Sequence, residues 1–155
     1  MQKYFLFIIL TVLVITACAT TPVSNRSAFI LIPESQEISL GKQSYNQILK
    51  KEKESEDAQL NQVVRRVAQR IIAVSDMPKL DWEVKLIESD QKNAFALPGG
   101  KIAIYTGILS VAKNEAGLAT VMSHEIAHVI ARHGAQRMSQ QMILQLGMIG
   151  AGLSM

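Results

Sequence analysis

The residues best suited to chemistry lie in one short stretch, 123–128, whose sequence SHEIAH contains the pattern H-E-x-x-H. The surrounding residues, 116–133, have helical periodicity, and a helix advances by about 100° per residue, so His124 and His128 fall on one face, one turn apart. Two imidazoles placed this way can hold one Zn²⁺ at about 2.0–2.1 Å per bond. Glu125 would project beside the metal, where it can take a proton from zinc-bound water and pass it to a leaving amine. The pattern is therefore typical of a zinc metalloprotease.

The alternative is an amphipathic helix with two polar residues on its solvent face. The neighbours of the pair, Ile126 and Val129 among them, are apolar, so we expect the two imidazoles to be partly buried. Buried imidazoles need polar partners, and a shared metal supplies one.

Composition sets broad limits on the fold and on the partners. The 155 residues suffice for one domain with a core, and the aromatic share of 5% predicts that this core is aliphatic. The net charge of +3 comes without a basic stripe interleaved with aromatic residues, so nucleic-acid binding has no support. The single cysteine excludes an internal disulfide.

The first 17 residues have a positive start, an apolar run over 4–15 and small residues before Cys18, which predicts a secretory signal too short to span a bilayer. Residues 15–18, ITAC, resemble a bacterial lipobox. The resemblance implies cleavage before Cys18, acylation of that cysteine and anchoring to a lipid bilayer; the alternative is an unmodified cysteine after an uncleaved signal anchor. Ala19, where an aspartate would favour inner-membrane retention, predicts the outer membrane facing the periplasm if the source is Gram-negative. Residues 18–34 are predicted to be a tether.

The remaining chain alternates between helical and extended patterns. Apolar stripes predict helices over 35–53 and 57–74. Alternation predicts a half-buried strand over 82–87, and two further strands, 94–97 and 102–105, are joined by a Pro-Gly-Gly turn as a hairpin. A short helix or turn follows over 106–112. Asn114 is a candidate N-cap for the H-E-x-x-H helix, which is predicted to run to about His133, where Gly134 can end it.

The hairpin has two interpretations. Pro98-Gly99-Gly100 alone indicates only a turn. A functional interpretation is that the hairpin borders a cleft and that its edge pairs with an extended peptide by strand addition. Main-chain pairing would suit a protease, because it holds almost any sequence extended across the metal.

Four motifs occur in order: NAFALPGG at 93–100, YTG at 105–107, HEIAHV at 124–129 and RHG at 132–134. Together they resemble the M48 peptidases over about 40–147, a family that includes bacterial periplasmic metalloproteases, some of them lipoproteins, and distant integral-membrane relatives. The resemblance implies an α+β, mostly helical zincin-like fold with a small sheet beside the H-E-x-x-H helix, one Zn²⁺, and endopeptidase activity on unfolded or misassembled envelope polypeptides. It implies that His124 and His128 are zinc ligands and Glu125 the general base. The residues that it places along the substrate cleft are Asn93, Ala94, Phe95, Ala96, Leu97, Pro98, Gly99 and Gly100.

A third zinc ligand is not visible in the sequence. The family supplies a glutamate from a later helix, but no Asp or Glu follows Glu125 here. His133 lies nine residues, about 900° of straight helix, after His124, so the two would point to opposite faces; the metzincin spacing is also absent. We therefore predict that His133 is a structural residue at the helix end.

We expect the chain to be the front portion of a longer protease, whether a gene fragment, a truncated open reading frame or a cut piece, with a peptidase domain over 35–155 that lacks its C-terminal part. The apolar run 142–155 then predicts a helix with an exposed apolar face. The chain alone is expected to bind zinc weakly and to hydrolyse little. The competing hypotheses are a non-catalytic, lipid-anchored chaperone or adaptor that holds unfolded clients along the hairpin edge, and a helical lipoprotein whose His pair is incidental.

Overall fold

The computed structural model describes residues 18–20, 27–150 and 152; the predicted signal segment 1–17 lies outside the described residues. The helices are α1 (Glu34–Leu49), α2 (Ala58–Ala73), α3 (Thr106–Ala112), α4 (Glu115–Ile130) and α5 (His133–Gly150). The strands are β1 (Cys18–Thr20), β2 (Ser27–Phe29), β3 (Glu83–Ile87), β4 (Ala94–Leu97) and β5 (Lys101–Tyr105). The predicted α+β, mostly helical class with a small sheet is confirmed.

The main sheet has three strands in the order β3-β5-β4. β4 and β5 form the predicted antiparallel hairpin, with Ala94 opposite Ile104 and Leu97 opposite Lys101. Gly99 and Gly100 in its turn have φ angles of 81° and 77°, a left-handed conformation that glycine adopts at little cost. β3 pairs with β5 in parallel, so β5 is the central strand and β4 lies at an edge.

Helices cover both faces of this sheet. On one face Ile102 and Ile104 of β5 join a core cluster with residues of α2 and α4. On the other face Tyr45 of α1 packs against Ala103 and Ile87. Alternation over 82–87 groups Ile87 with Glu83 and Lys85, on the solvent face of a half-buried strand. The Ile87 side chain is instead fully buried, because α1 covers that face of the sheet.

The N-cap predicted for the H-E-x-x-H helix is confirmed, since the Asn114 side chain accepts a hydrogen bond from the Gly117 amide. The predicted end of this helix at about His133 is wrong. α4 ends at Ile130, Arg132 takes a left-handed φ of 54°, and α5 begins at His133. Gly134 therefore lies in the first turn of α5 and does not cap α4.

The segment predicted as a tether contains β1 and β2, which pair antiparallel. Its C-terminal end contacts the domain, because Ile32 is buried and the Leu31 amide donates to the Ser139 hydroxyl at 2.9 Å. α5 exposes the apolar side chains predicted for this region, among them Leu144, Leu146 and Ile149. Among the residues that the structure describes, no helix has both the length and the apolar character needed to cross a bilayer.

Candidate metal centre and peptide cleft

The two predicted zinc ligands point at the same place. The Nε2 atoms of His124 and His128 lie 3.0 Å apart, and their ring centroids are separated by 4.5 Å. Two nitrogen ligands of one tetrahedral Zn²⁺, each about 2.0–2.1 Å from the metal, stand about 3.3 Å apart. The observed spacing is close to this value, so the two imidazoles fit a shared metal.

The core side of α4 explains why these imidazoles face outwards. Four residues at intervals of one helical turn are buried against the sheet and α2: Leu118, Met122, Ile126 and Ile130. Burial of this stripe fixes the rotation of the helix, so the motif histidines lie on another side. His124 is exposed and His128 half-buried, so the expected partial burial holds for His128 only.

His133, predicted to point away from the pair, lies beside it. Its Nδ1 is 2.6 Å from Nδ1 of His128, and the two ring centroids are 4.7 Å apart. The prediction assumed a straight helix, whereas the chain breaks after Ile130 and re-enters a helix at His133. Burial lowers the pKa of His133, and the neighbouring His128 and Arg137 lower it further, which favours the neutral imidazole.

An ion pair holds the turn that places His133. The Arg132 side chain reaches Glu37 of α1, with Nε 2.9 Å and Nη2 2.8 Å from the same carboxylate oxygen. Glu37 is only 4% exposed, so the guanidinium provides the compensating charge that a buried carboxylate needs. No local sequence signal indicated this contact, which joins residues far apart in the chain.

A cleft of about 260 Å³ runs between the hairpin and the histidine cluster. Its lining residues come from α1, β4 and its turn, α4 and α5: Glu37, Phe95, Ala96, Leu97, Pro98, Glu125, His128, Val129, His133, Gly134 and Arg137. The predicted general base, Glu125, thus shares one cleft with the candidate ligand His128 and the edge of the hairpin.

The cleft includes only part of the stretch predicted to line it. Phe95 to Pro98 line it, whereas Ala94, the first residue of β4, and Asn93 before it are not among the lining residues. Gly99 and Gly100 are buried in the turn, close to Ile38 and Trp82 respectively. The two glycines therefore serve the turn itself.

The hydrogen-bond pattern of the hairpin shows which main-chain groups of β4 face outwards. The Tyr105 amide donates to the Asn93 carbonyl at 3.1 Å, which marks these two opposed residues as a hydrogen-bonded pair of the ladder. In an antiparallel ladder such pairs alternate with pairs that do not bond to each other, which makes Phe95 the next bonded residue. The amide and carbonyl groups of Ala94 and Ala96 consequently point away from β5, along the free edge.

The described part of the chain contains no group of three or more His, Cys, Asp or Glu side chains arranged to hold a metal ion. His133 does not add a donor to the pair, because it contacts His128 through Nδ1, the ring nitrogen opposite the Nε2 that faces His124. The described residues thus provide two convergent donors.

Comparison with known proteins agrees with the motif and the fold. Residues 54–155 match the family described as Peptidase family M48. The chain is 40% identical over 124 residues to the mitochondrial metalloendopeptidase OMA1 of Schizosaccharomyces pombe, which covers 76% of this chain and 36% of the relative. It is 32% identical over 122 residues to the beta-barrel assembly-enhancing protease of Escherichia coli, which covers 79% of this chain and 25% of the relative.

The Saccharomyces cerevisiae OMA1 protein is 32% identical over 139 residues, 81% of this chain and 40% of the relative. The chain therefore spans between about a quarter and two fifths of these curated relatives. The family match covers well over half of the chain and includes the complete H-E-x-x-H helix. The chain belongs to peptidase family M48.

Proposed function

We propose that this chain carries the front half of the active site of a zinc-dependent endopeptidase. The observation that supports the proposal is the convergence of the His124 and His128 Nε2 atoms, 3.0 Å apart, at a cleft that Glu125 also lines. The relatives named above are proteases, which favours hydrolysis over the non-catalytic adaptor.

Each residue of the motif has a role in this proposal. His124 and His128 hold the metal through Nε2, which must be unprotonated for this purpose. Zinc, when bound, polarises the scissile carbonyl and makes water a better nucleophile at neutral pH. Glu125 accepts the proton of the attacking water and delivers it to the leaving amine.

The free edge of β4 would hold the substrate. Its outward amide and carbonyl groups, at Ala94 and Ala96, can pair with an extended peptide by strand addition. Phe95 and Leu97 line the cleft beside that edge, so they would contact alternate substrate side chains. Recognition by strand addition depends mainly on hydrogen bonds to the substrate main chain, so it would suit unfolded polypeptides of varied sequence.

A catalytic zinc site usually has three protein ligands and one open position. The described residues supply two donors, and the aligned segment is a minor part of the relatives. We propose that the third ligand is a carboxylate from a segment outside this chain. Tight zinc binding and turnover are then properties of the whole protein.

We also propose that the protein acts in the bacterial cell envelope, anchored to a bilayer through acylated Cys18, on unfolded or misassembled envelope polypeptides. The lipobox-like sequence at 15–18 supports the anchor. One relative is named for β-barrel assembly and another is mitochondrial, so their names do not decide the compartment. Palmitate labelling of the wild type and of Cys18→Ala tests the anchor; equal labelling of both would reject it.

The decisive experiment on the chemistry is Glu125→Gln in the whole purified protein, including the segment proposed to supply the third ligand. We expect zinc content to remain and peptide cleavage to fall by at least about 100-fold, the lower end of what a general base contributes. Glu115→Gln, on the exposed first turn of the same helix, is the matched control and should retain activity. Cleavage that survives Glu125→Gln rejects Glu125 as the base. Client binding without cleavage, insensitive to chelators, would instead support the adaptor.

A further inference from the structure

His128 has a partner on each side of its ring. Its Nε2 faces Nε2 of His124 at 3.0 Å, and its Nδ1 faces Nδ1 of His133 at 2.6 Å. The Nδ1 contact joins two ring nitrogens and needs one proton between them, whereas the two Nε2 atoms must both be unprotonated when they share a metal. The tautomer of His128 therefore constrains that of His133.

Only one arrangement of these protons leaves the His128 Nε2 free for a metal. A neutral imidazole carries one N–H, so an unprotonated Nε2 requires the proton of His128 on Nδ1. That N–H then donates to Nδ1 of His133, whose own proton must be on Nε2. In metal proteins a ligand histidine usually donates its second N–H to such a partner, which fixes both the tautomer and the ring orientation.

We propose that His133 is a positioning residue for the metal site: it accepts the Nδ1–H of His128 and thereby holds the Nε2 of His128 towards the metal. The inference rests on the proposed function, since it assigns His133 a role in that site. It differs from the structural role expected of a residue at a helix end.

The break between α4 and α5 makes the contact possible. On a continuous helix His133 would lie on another face, five positions after His128. The left-handed Arg132 redirects the chain, and its ion pair with the buried Glu37 holds that conformation in place. His133 thus lies in the first turn of a separate helix, and its ring can contact His128 from a direction that no residue of α4 could take.

The test compares His133→Phe, which keeps a ring but has no acceptor, with His133→Gln, whose amide oxygen can accept. Zinc affinity is measured by competition with a chromogenic chelator, and the ring nitrogens of His128 are observed by ¹⁵N NMR in zinc-free protein at pH 8. We expect zinc affinity to fall by about 10- to 100-fold in His133→Phe and to recover largely in His133→Gln. In the wild type we expect the proton of His128 on Nδ1, and in His133→Phe a shift towards Nε2.

Circular dichroism on each variant establishes that α4 and α5 are intact. His128→Ala is the control for the site itself and should lose zinc binding. If the wild type binds no zinc, the proposed function fails, and the zinc-free spectra then decide the role of His133 alone. The inference is overturned if wild-type His128 carries its proton on Nε2, or if His133→Phe leaves both the tautomer and the zinc affinity unchanged.

Discussion

Gly41 of α1 faces the main-chain carbonyl of Pro98 so closely that a Cβ at position 41 would overlap it. On the other side of the same proline, a Cβ at Gly134 of α5 would lie 3.1 Å from the Pro98 ring. The hairpin turn therefore packs against α1 and α5 at two glycines: a Cβ at position 41 has no room, and a Cβ at position 134 would fit only if Pro98 moved by a few tenths of an ångström. Because Pro98 follows β4 directly, these two packing contacts set the position of the edge strand relative to the candidate metal ligands.

Gly41→Ala should destabilise the fold. The added methyl group must push the turn away from α1, and overpacking of this kind costs about 1–3 kcal/mol. Urea unfolding measures the free energy of unfolding. Gly147→Ala is the matched control, since that glycine is helical and has nothing within 4 Å, and it should be neutral or slightly stabilising. Equal unfolding midpoints for Gly41→Ala and the wild type would show that the contact between Gly41 and Pro98 does not constrain the turn.

Glu37→Gln should weaken the turn between α4 and α5. It removes the charge that compensates the partly buried Arg132, and breaking one side of a buried ion pair costs about 3–5 kcal/mol. The loss is measured as the free energy of unfolding in urea. Glu34→Gln, exposed one turn earlier on α1, should change it by less than about 1 kcal/mol. A Glu37→Gln protein as stable as the Glu34→Gln control would show that the pair does not support the turn.

Zinc should stabilise the protein through the His124–His128 pair. A ligand that binds only the folded state, present at 100 times its dissociation constant, adds about 2.7 kcal/mol to the free energy of unfolding. Thermal melts with zinc and then with excess chelator measure this gain and its reversal. His128→Ala should melt at one temperature under both conditions. A zinc-dependent shift that persists in His128→Ala would place the metal elsewhere.

Substrate pairing along β4 predicts an alternating tolerance to backbone methylation. If the outward groups of Ala94 and Ala96 pair with a peptide, every second peptide amide points at the strand and cannot carry a methyl group. A peptide substrate methylated at one amide at a time should lose cleavage at alternate positions along the paired stretch. The same peptide methylated at the intervening amides is the control. Uniform tolerance along the peptide would exclude strand addition.

The salt link between Lys101 and Asp81 should contribute to acid stability. Lys101 is 4% exposed and donates to the Asp81 carboxylate at 3.0 Å, and this hydrogen bond lowers the pKa of Asp81. A carboxyl with a lower pKa in the folded state stabilises the fold in full above about pH 4, and this stabilisation is lost as the pH falls through the folded pKa. Asp81→Asn should therefore make the free energy of unfolding less dependent on pH below about pH 4, measured by urea titrations. If the free energy of unfolding depends on pH in the same way in Asp81→Asn and in the wild type, the ion pair between Lys101 and Asp81 does not contribute to acid stability.

Local patterns were sufficient for most of the elements around the site. Asn114 caps its helix as predicted, and the Pro-Gly-Gly turn joins the two predicted strands of the hairpin. The facing of His124 and His128 followed from helical geometry alone. These features depend on residues within one turn or one hairpin of each other, where sequence rules apply.

The predictions that failed concern residues whose positions depend on contacts with parts of the chain distant in sequence. Arg132 takes a left-handed φ that its residue type does not favour, and the contact that holds it comes from Glu37, 95 positions away. The straight-helix geometry therefore put His133 on the wrong face. Ile87 was misjudged for the same reason, since only α1 makes the second face of the sheet part of the core.

The strand order has a consequence for the newly made polypeptide. In the described sheet β4 pairs with β5, and β5 follows β4 in the chain. β4 therefore stays unpaired until residue 105 has left the ribosome. The far wall of the cleft, on α4 and α5, emerges later still. The cleft between the hairpin and the histidine cluster is therefore complete only after α5 has been synthesised.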